Sequence, residues 1–273
     1  MVYIFTAMYC EARALIEYFH LKKELNQTRF QVFSEEDGKI LLTVMGTGMV
    51  SAAVAVSSIC TAYGAGQEDF LVNVGVAAAR SATDKMVLCN KIIDLPSGKT
   101  YYPDVLYRHP FLEGAVSTVL KPVMELSGQE GLFDMEAAAV YQAGAYFFAP
   151  HQMCFLKVAS DHGIDFRKVT REQIEQILLS HVDEIAGFAM RLYDMGKRTV
   201  SSTPKVEGFQ TLCHDLHCSK TMEELLWQHL RYCALAGVDV KPVIEALYRE
   251  KKLPCKDKRE GKVCFDELKQ RLF

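Results

Sequence analysis

The stretch LFDMEAAAVYQAG at 132–144 sets two carboxylates, Asp134 and Glu136, on either side of Met135, directly ahead of small apolar residues. Burying a carboxylate without partners is costly, so acids at the mouth of an alanine-rich helix need a chemical reason. Glu11 in AMYCEA and Asp161 at the end of KVASD are two more acids beside apolar segments, and Gly46-Thr47-Gly48 is a glycine turn. Carboxyl groups can donate a proton, activate a water or accept bonds from sugar hydroxyls. Each acid also has a plainer reading. Glu11 suits the first turn of a helix, where an acid meets the helix dipole. Asp134 and Asp161 are both good helix caps, and Asp134 also reads as a solvated neighbour of the site.

The elements that must bring these groups together can be read from the apolar pattern. Residues 2–7, 39–45 and 69–79 read as buried strands, with shorter strands at 86–94 and 114–119 and another at 153–160. A small-residue helix follows the glycine turn, a helix starts near Glu11, the 132–144 stretch is helical, and a long amphipathic helix covers about 170–195. Continuous apolar strands alternating with helices predict an α/β domain with a mostly parallel or mixed central sheet covered on both faces. In such sheets ligands bind beyond the carboxyl ends of the strands. Glu11, the glycine turn, Glu136 and Asp161 all fall at such ends.

In this order the pieces resemble the nucleoside phosphorylase/nucleosidase superfamily, most of all its methylthioadenosine/S-adenosylhomocysteine nucleosidase branch. AMYCEA (7–12) is similar to the loop bearing the water-activating glutamate, and GTGMVSAA (46–53) to the glycine turn beside the nucleophile pocket. NVGVAAA (73–79) is similar to the N-x-G-[ST]-A-G strand end, FDMEAAAV (133–140) to the ribose-binding segment, and KVASD (157–161) to the strand ending in the purine-protonating aspartate. The resemblance covers roughly 1–195. It implies a three-layer α/β/α phosphorylase-like fold and hydrolysis of the N-glycosidic bond of a purine nucleoside. Asp161 would protonate the purine and Glu11 would deprotonate water. Glu136 would hold the ribose hydroxyls while Met135 packs on the sugar. Gly46, Gly48, Gly75, Val76, Lys157 and Ser160 would line the purine or nucleophile pocket. No cofactor and no metal are implied, and a homo-oligomer, a dimer, is.

The sequence departs from this pattern at three places. Val76 stands where the family carries a hydroxyl, and valine cannot donate a hydrogen bond to water or phosphate. With only Arg80 and Arg108 nearby in sequence, water is favoured over phosphate as the nucleophile, and a phosphorylase using phosphate is the first rival. The segment before FDMEA is short, leaving Ser117-Thr118 as an echo of the family's strand end and Tyr101, Tyr102, Phe111 or a partner subunit to recognise the purine, the three aromatics reading equally as core or interface. Lys157 replaces an arginine, keeping the charge and losing the planar fork. A nucleoside-binding protein with weakened catalysis is the second rival.

The chain has 273 residues, about half of them apolar, and a formal net charge of −3. That excludes the global basic balance of a nucleic-acid or anionic-membrane binder. The apolar N-terminus lacks a basic leader region and no run is long enough to span a bilayer. Nine cysteines without regular spacing read as reduced thiols in a cytoplasmic protein. KRTVSSTPKV (197–206) reads as a linker. It divides a catalytic domain, 1–197, from a small all-helical domain, 206–273, where Thr221 and Glu224 form a capping box, Gly237 stops a helix and Asp239 caps the next. LCHDLHC (212–218) lacks the second ligand pair that a zinc site needs and reads as an amphipathic helix.

Overall fold

Among the described residues of the computed structural model (1–25, 28–79, 84–122, 131–162, 169–202 and 208–272) the chain forms ten strands and nine helices. Side chains are described for all of these except 161–162 and 199–202. The chain divides into two compact units, Met1–Arg198 and Thr199–Phe273.

The first unit runs β1 (Val2–Thr6), α1 (Tyr9–Tyr18), β2 (Lys22–Lys23), β3 (Gln31–Ser34), β4 (Ile40–Val44), α2 (Met49–Tyr63) and β5 (Phe70–Ala79). It continues with β6 (Val87–Asp94), β7 (Lys99–Tyr101), β8 (Leu112–Thr118), β9 (Leu132–Asp134), α3 (Ala137–Gly144), β10 (Met153–His162), α4 (Arg171–Ser180) and α5, which starts at Val182. The sheet is mixed. β1 pairs in parallel with β4 and β5, and β5 in parallel with β10, whereas β3 and β4 are antiparallel. β5, β10, β6, β8 and β9 close into a ring, and β1, β4, β3 and β2 extend from it.

Alternation along the buried strands sends side chains to two cores. Val2, Ile4, Val72, Val74, Leu156 and Val158 pack with α1, α4 and α5 on one face; Tyr3, Phe5, Leu71 and Phe155 pack with α2 and α3 on the other. Alanines at 137–139 bring α3 close to the sheet, and a side chain added at Gly144 would lie 2.9 Å from the Met153 sulfur. This is the three-layer α/β/α arrangement.

Three expectations need correction. The helix expected near 170–195 is two helices, because His181 leaves helical geometry (ψ 3°) and its carbonyl accepts from Ile185 N to begin α5. Asp183 and Glu184 then fall in a new first turn, where the helix dipole favours acids. The linker begins later than 197, since α5 runs to Ser202. The 132–144 stretch starts as strand β9 and becomes helical only at Ala137.

The second unit is helical: α6 (Phe209–Asp215), α7 (Lys220–Leu235), α8 (Lys241–Arg249) and α9 (Lys258–Leu272) pack around Leu216, Leu226, Leu230, Leu247 and Leu268. Ser219, not Thr221, caps α7, accepting from Met222 N at 3.3 Å. Gly237 takes the left-handed conformation past α7 (φ 71°), and Asp239 accepts from Lys241 N at 3.0 Å. At the end of α6, His217 bonds the Cys255 carbonyl at 2.9 Å and His214 points to solvent. Among the described residues no group of three or more His, Cys, Asp or Glu side chains is arranged to hold a metal ion, and no helix is long and apolar enough to cross a membrane.

Candidate functional site

Parallel strands β1, β4, β5 and β10 end on the same side of the sheet. Glu11 and the glycine turn follow β1 and β4, Gly75, Val76, Lys157, Ser160 and Asp161 lie within β5 and β10, and Met135 and Glu136 follow β9, which is antiparallel to β5. There a cavity of about 220 Å³ is lined by Ala7, Met8, Glu11, Thr47, Val76, Ala77, Ala78, Val119, Pro122, Phe133, Asp134, Met135, Glu136 and Ser160. Its wall is apolar except for three carboxylates and two hydroxyls. No cationic side chain lines it among the described residues.

Glu11 occupies the first turn of α1 and is 2% exposed. One carboxylate oxygen accepts from Ala7 N (2.8 Å) and Met8 N (2.9 Å), and the other accepts from Val76 N (2.9 Å) across the sheet. The helix-start reading of this residue therefore holds alongside a reach to the cavity. Burial raises its pKa above the usual carboxylate range, against the opposing pull of Lys157 and the three N–H groups. Gly75 makes the approach possible: a Cβ there would lie 2.7 Å from a Glu11 oxygen.

Glu136 sits at the N-cap of α3 and accepts from Gly48 N at 2.7 Å. Gly46 and Gly48 both have positive φ (83° and 92°), which glycine adopts without strain. Gly48 thus touches the site through its N–H, and of this turn Thr47 alone lines the cavity. Burial pushes Glu136 up to about 7. Lys157 and the Gly48 N–H oppose the rise, and Asp134 and Glu11 add to it.

Lys157 does not line the cavity, which corrects the expectation that it is a pocket residue. It is 2% exposed, and its ammonium lies 2.9 Å from Asp134 Oδ2. Burial would lower its pKa, but Asp134, Glu136 and Glu11 together outweigh that and raise it. Asp134 is correspondingly not solvated. It accepts from Thr118 Oγ1 (2.7 Å) and Ala137 N (2.8 Å), so it also caps α3.

β10 carries a bulge between Ala159 and Asp161, with Asp161 paired to Ala78. Ser160 lines the cavity, whereas the Asp161 side chain lies outside the described residues, as does Arg80. Arg108 is exposed and away from the cavity. Tyr101 stacks on Tyr141 (4.9 Å), Tyr102 is exposed, and Phe111 packs edge-on against Phe188 (5.2 Å). None of the three reaches the cavity. Phe133 does, and its position one residue before the Asp-Met-Glu run was the signal available for it.

No protein-family profile and no curated protein sequence matches this chain. Solved structures do match in fold. A 5′-methylthioadenosine/S-adenosylhomocysteine nucleosidase from Helicobacter pylori aligns at 15% identity with a TM-score of 0.55, over 70% of this chain and 97% of that one. A putative nucleosidase of the same kind from Borrelia burgdorferi, bound to adenine, aligns at 16% identity with a TM-score of 0.57, over 70% of this chain and all of that one. The futalosine hydrolase of Helicobacter pylori aligns at 15% identity with a TM-score of 0.54, over 70% and 97%. The chain has the fold of these nucleosidases.

Proposed function

We propose that the protein hydrolyses the N-glycosidic bond of a purine nucleoside of the methylthioadenosine or S-adenosylhomocysteine class. The observation that carries this reading is the pair of buried carboxylates, Glu11 and Glu136, on one apolar cavity at the strand ends of a nucleosidase fold. Breaking the bond develops positive charge on the sugar and negative charge on the departing base. Asp161 supplies the proton to the purine, Glu11 takes one from the attacking water, and Glu136 accepts from the ribose hydroxyls while Met135 packs on the sugar. Carboxylates facing the cavity favour the cationic sugar as it forms.

Water is the nucleophile in this reading. Phosphate would enter a cavity whose described charges are all negative and whose nearest ammonium is already paired with Asp134. We also read the protein as a cytoplasmic homodimer. Nine free thiols support the first part. For the second, the fifteen residues of α2 carry no charge, yet Val50 and Val54 are 79% and 51% exposed beside Tyr146. Exposed apolar side chains gathered in one patch mark an interaction surface.

The test is release of adenine or hypoxanthine from a panel of purine nucleosides, with and without phosphate. Release is expected without phosphate, and Asp161→Asn is expected to lower kcat by ~10²–10⁴-fold, the range of a positioned general acid. Release only with phosphate would make the protein a phosphorylase. Binding without release from any nucleoside would make it a binding protein.

Gly75→Ala separates position from chemistry. The added methyl must push the Glu11 carboxylate off Val76 N, and a displacement of this size costs roughly 10²-fold in rate. Kinetics and a thermal melt on one preparation should show that loss together with a fall of about 2–12 °C in melting temperature, because the Val76 N–H is left unsatisfied. An unchanged rate would remove Glu11 from the mechanism.

A further inference from the structure

We infer that Asp134 is a positioning residue: by clamping Lys157 it offsets part of the lysine's charge at Glu136 and ties the start of α3 to β8 and β10. The inference extends the proposed function, since Glu136 is the residue being positioned, but its test does not require turnover.

Every described contact of the Asp134 carboxylate points into the protein. Oδ2 accepts from Lys157 Nζ at 2.9 Å and Ala137 N at 2.8 Å, and Oδ1 accepts from Thr118 Oγ1 at 2.7 Å. The Thr118 hydroxyl accepts in turn from Ala138 N at 3.0 Å. Two successive amides of α3 are therefore fixed to one buried network, immediately after Glu136. Asp134 is in reach of the cavity, yet its side chain is only 1% exposed, so it has little left to offer a ligand.

The choice of partner matters because Lys157 interacts with three acids, Asp134, Glu136 and Glu11. Among the described residues, Glu136 is faced by Lys157 on β10, Asp134 on β9, Glu11 on α1 and the Gly48 N–H at the start of α2. Three carboxylates and one ammonium cannot all pair. The rise of Glu136 to about 7 comes first from burial, with Lys157 opposing it and Asp134 and Glu11 adding to it. Replacing Asp134 by the isosteric amide removes one negative charge and leaves the lysine's positive charge uncompensated. Both changes favour the ionised form of Glu136, so its pKa must fall.

The direct experiment is a ¹³C NMR titration of protein labelled at glutamate carboxyls, with Glu136 assigned through Glu136→Gln. In Asp134→Asn the Glu136 signal should titrate about one unit or more lower than in wild type, the usual effect of a nearby charge. If nucleoside turnover is present, the acidic limb of kcat/KM should move the same way. Thr118→Val, which breaks the hydroxyl links but leaves every charge, should lower the melting temperature and leave the titration in place. The double variant Asp134→Asn/Lys157→Gln removes both charges together and should titrate at or above wild type, because the lysine lowers Glu136 by more than Asp134 raises it. It also serves as the measurement if Asp134→Asn does not fold. A Glu136 signal that stays in place or rises in Asp134→Asn, or falls below wild type in the double variant, overturns the inference. A shift as expected without any nucleoside turnover would uphold it while sinking the nucleosidase reading.

Discussion

Glu11→Gln is expected to lower kcat by ~10²–10⁴-fold with nucleoside binding retained, because the amide cannot accept the proton that a general base must take. The substitution is close to isosteric but not silent. Both oxygens of Glu11 accept backbone N–H bonds, two on one and one on the other. The amide NH₂ can turn away from only one set. Its least costly placement faces Val76 N, sacrificing one bond and leaving that N–H unsatisfied, a loss of about 1–3 kcal/mol. Against it stands relief from burying a charge, since burial already raises the Glu11 pKa. The two nearly offset, so the variant should fold. Base release together with calorimetric binding of a nucleoside separates the outcomes: rate lost with affinity retained identifies the base, whereas a rate within threefold of wild type assigns Glu11 to the helix start alone.

The parts of this site visible in the sequence are those where one local rule decides. Apolar runs such as FLVNVGVAAA must be covered strands, and acids placed at their ends stand out because an unpaired acid is costly there. Glu11 and Glu136 could be identified this way, and both line one cavity. The parts that were hidden depend on pairing across the chain. Asp134 and Lys157 are distant in sequence, and neither Asp nor Lys announces its partner. Their ion pair forms only once β9 and β10 are assembled on the same sheet. Short strands such as β9 carry too little pattern to be seen, which is why the 132–144 stretch reads as all helix. The break at His181 was hidden because the apolar periodicity continues through it. Ser219 does not stand out in the sequence because a second capping signal lies two residues downstream, and both obey the same rule. Phe133 lines the cavity where three other aromatics were better placed by sequence alone, because it lies on the strand that carries the acids.

The pairing that the sequence concealed supplies the largest expected effect on stability. Lys157→Met keeps the volume and flexibility of the side chain and removes the cation that faces Asp134, Glu136 and Glu11. Breaking a buried pair by deleting one partner costs about 3–5 kcal/mol. In a unit of this size each kcal/mol is worth roughly 2–4 °C, so the melting temperature near neutral pH should fall by roughly 6–20 °C. The pH dependence distinguishes this cause from poor packing. Glu136 already has a folded-state pKa above its ordinary 4.5, at about 7. Loss of Lys157 can only raise it, and Glu11 with it, since the lysine lowers both. A raised carboxyl pKa contributes stability that is fully present below the unfolded value and is lost as pH rises through the folded one. Protonation at low pH therefore removes the unpaired charges, and deprotonation at high pH exposes the full cost. Thermal melts of wild type and variant at pH 5 and pH 8 should show a gap that widens with pH. A gap of equal size at both would mean the lysine contributes shape alone, and no gap would mean that the carboxylates already share protons among themselves and need no cation.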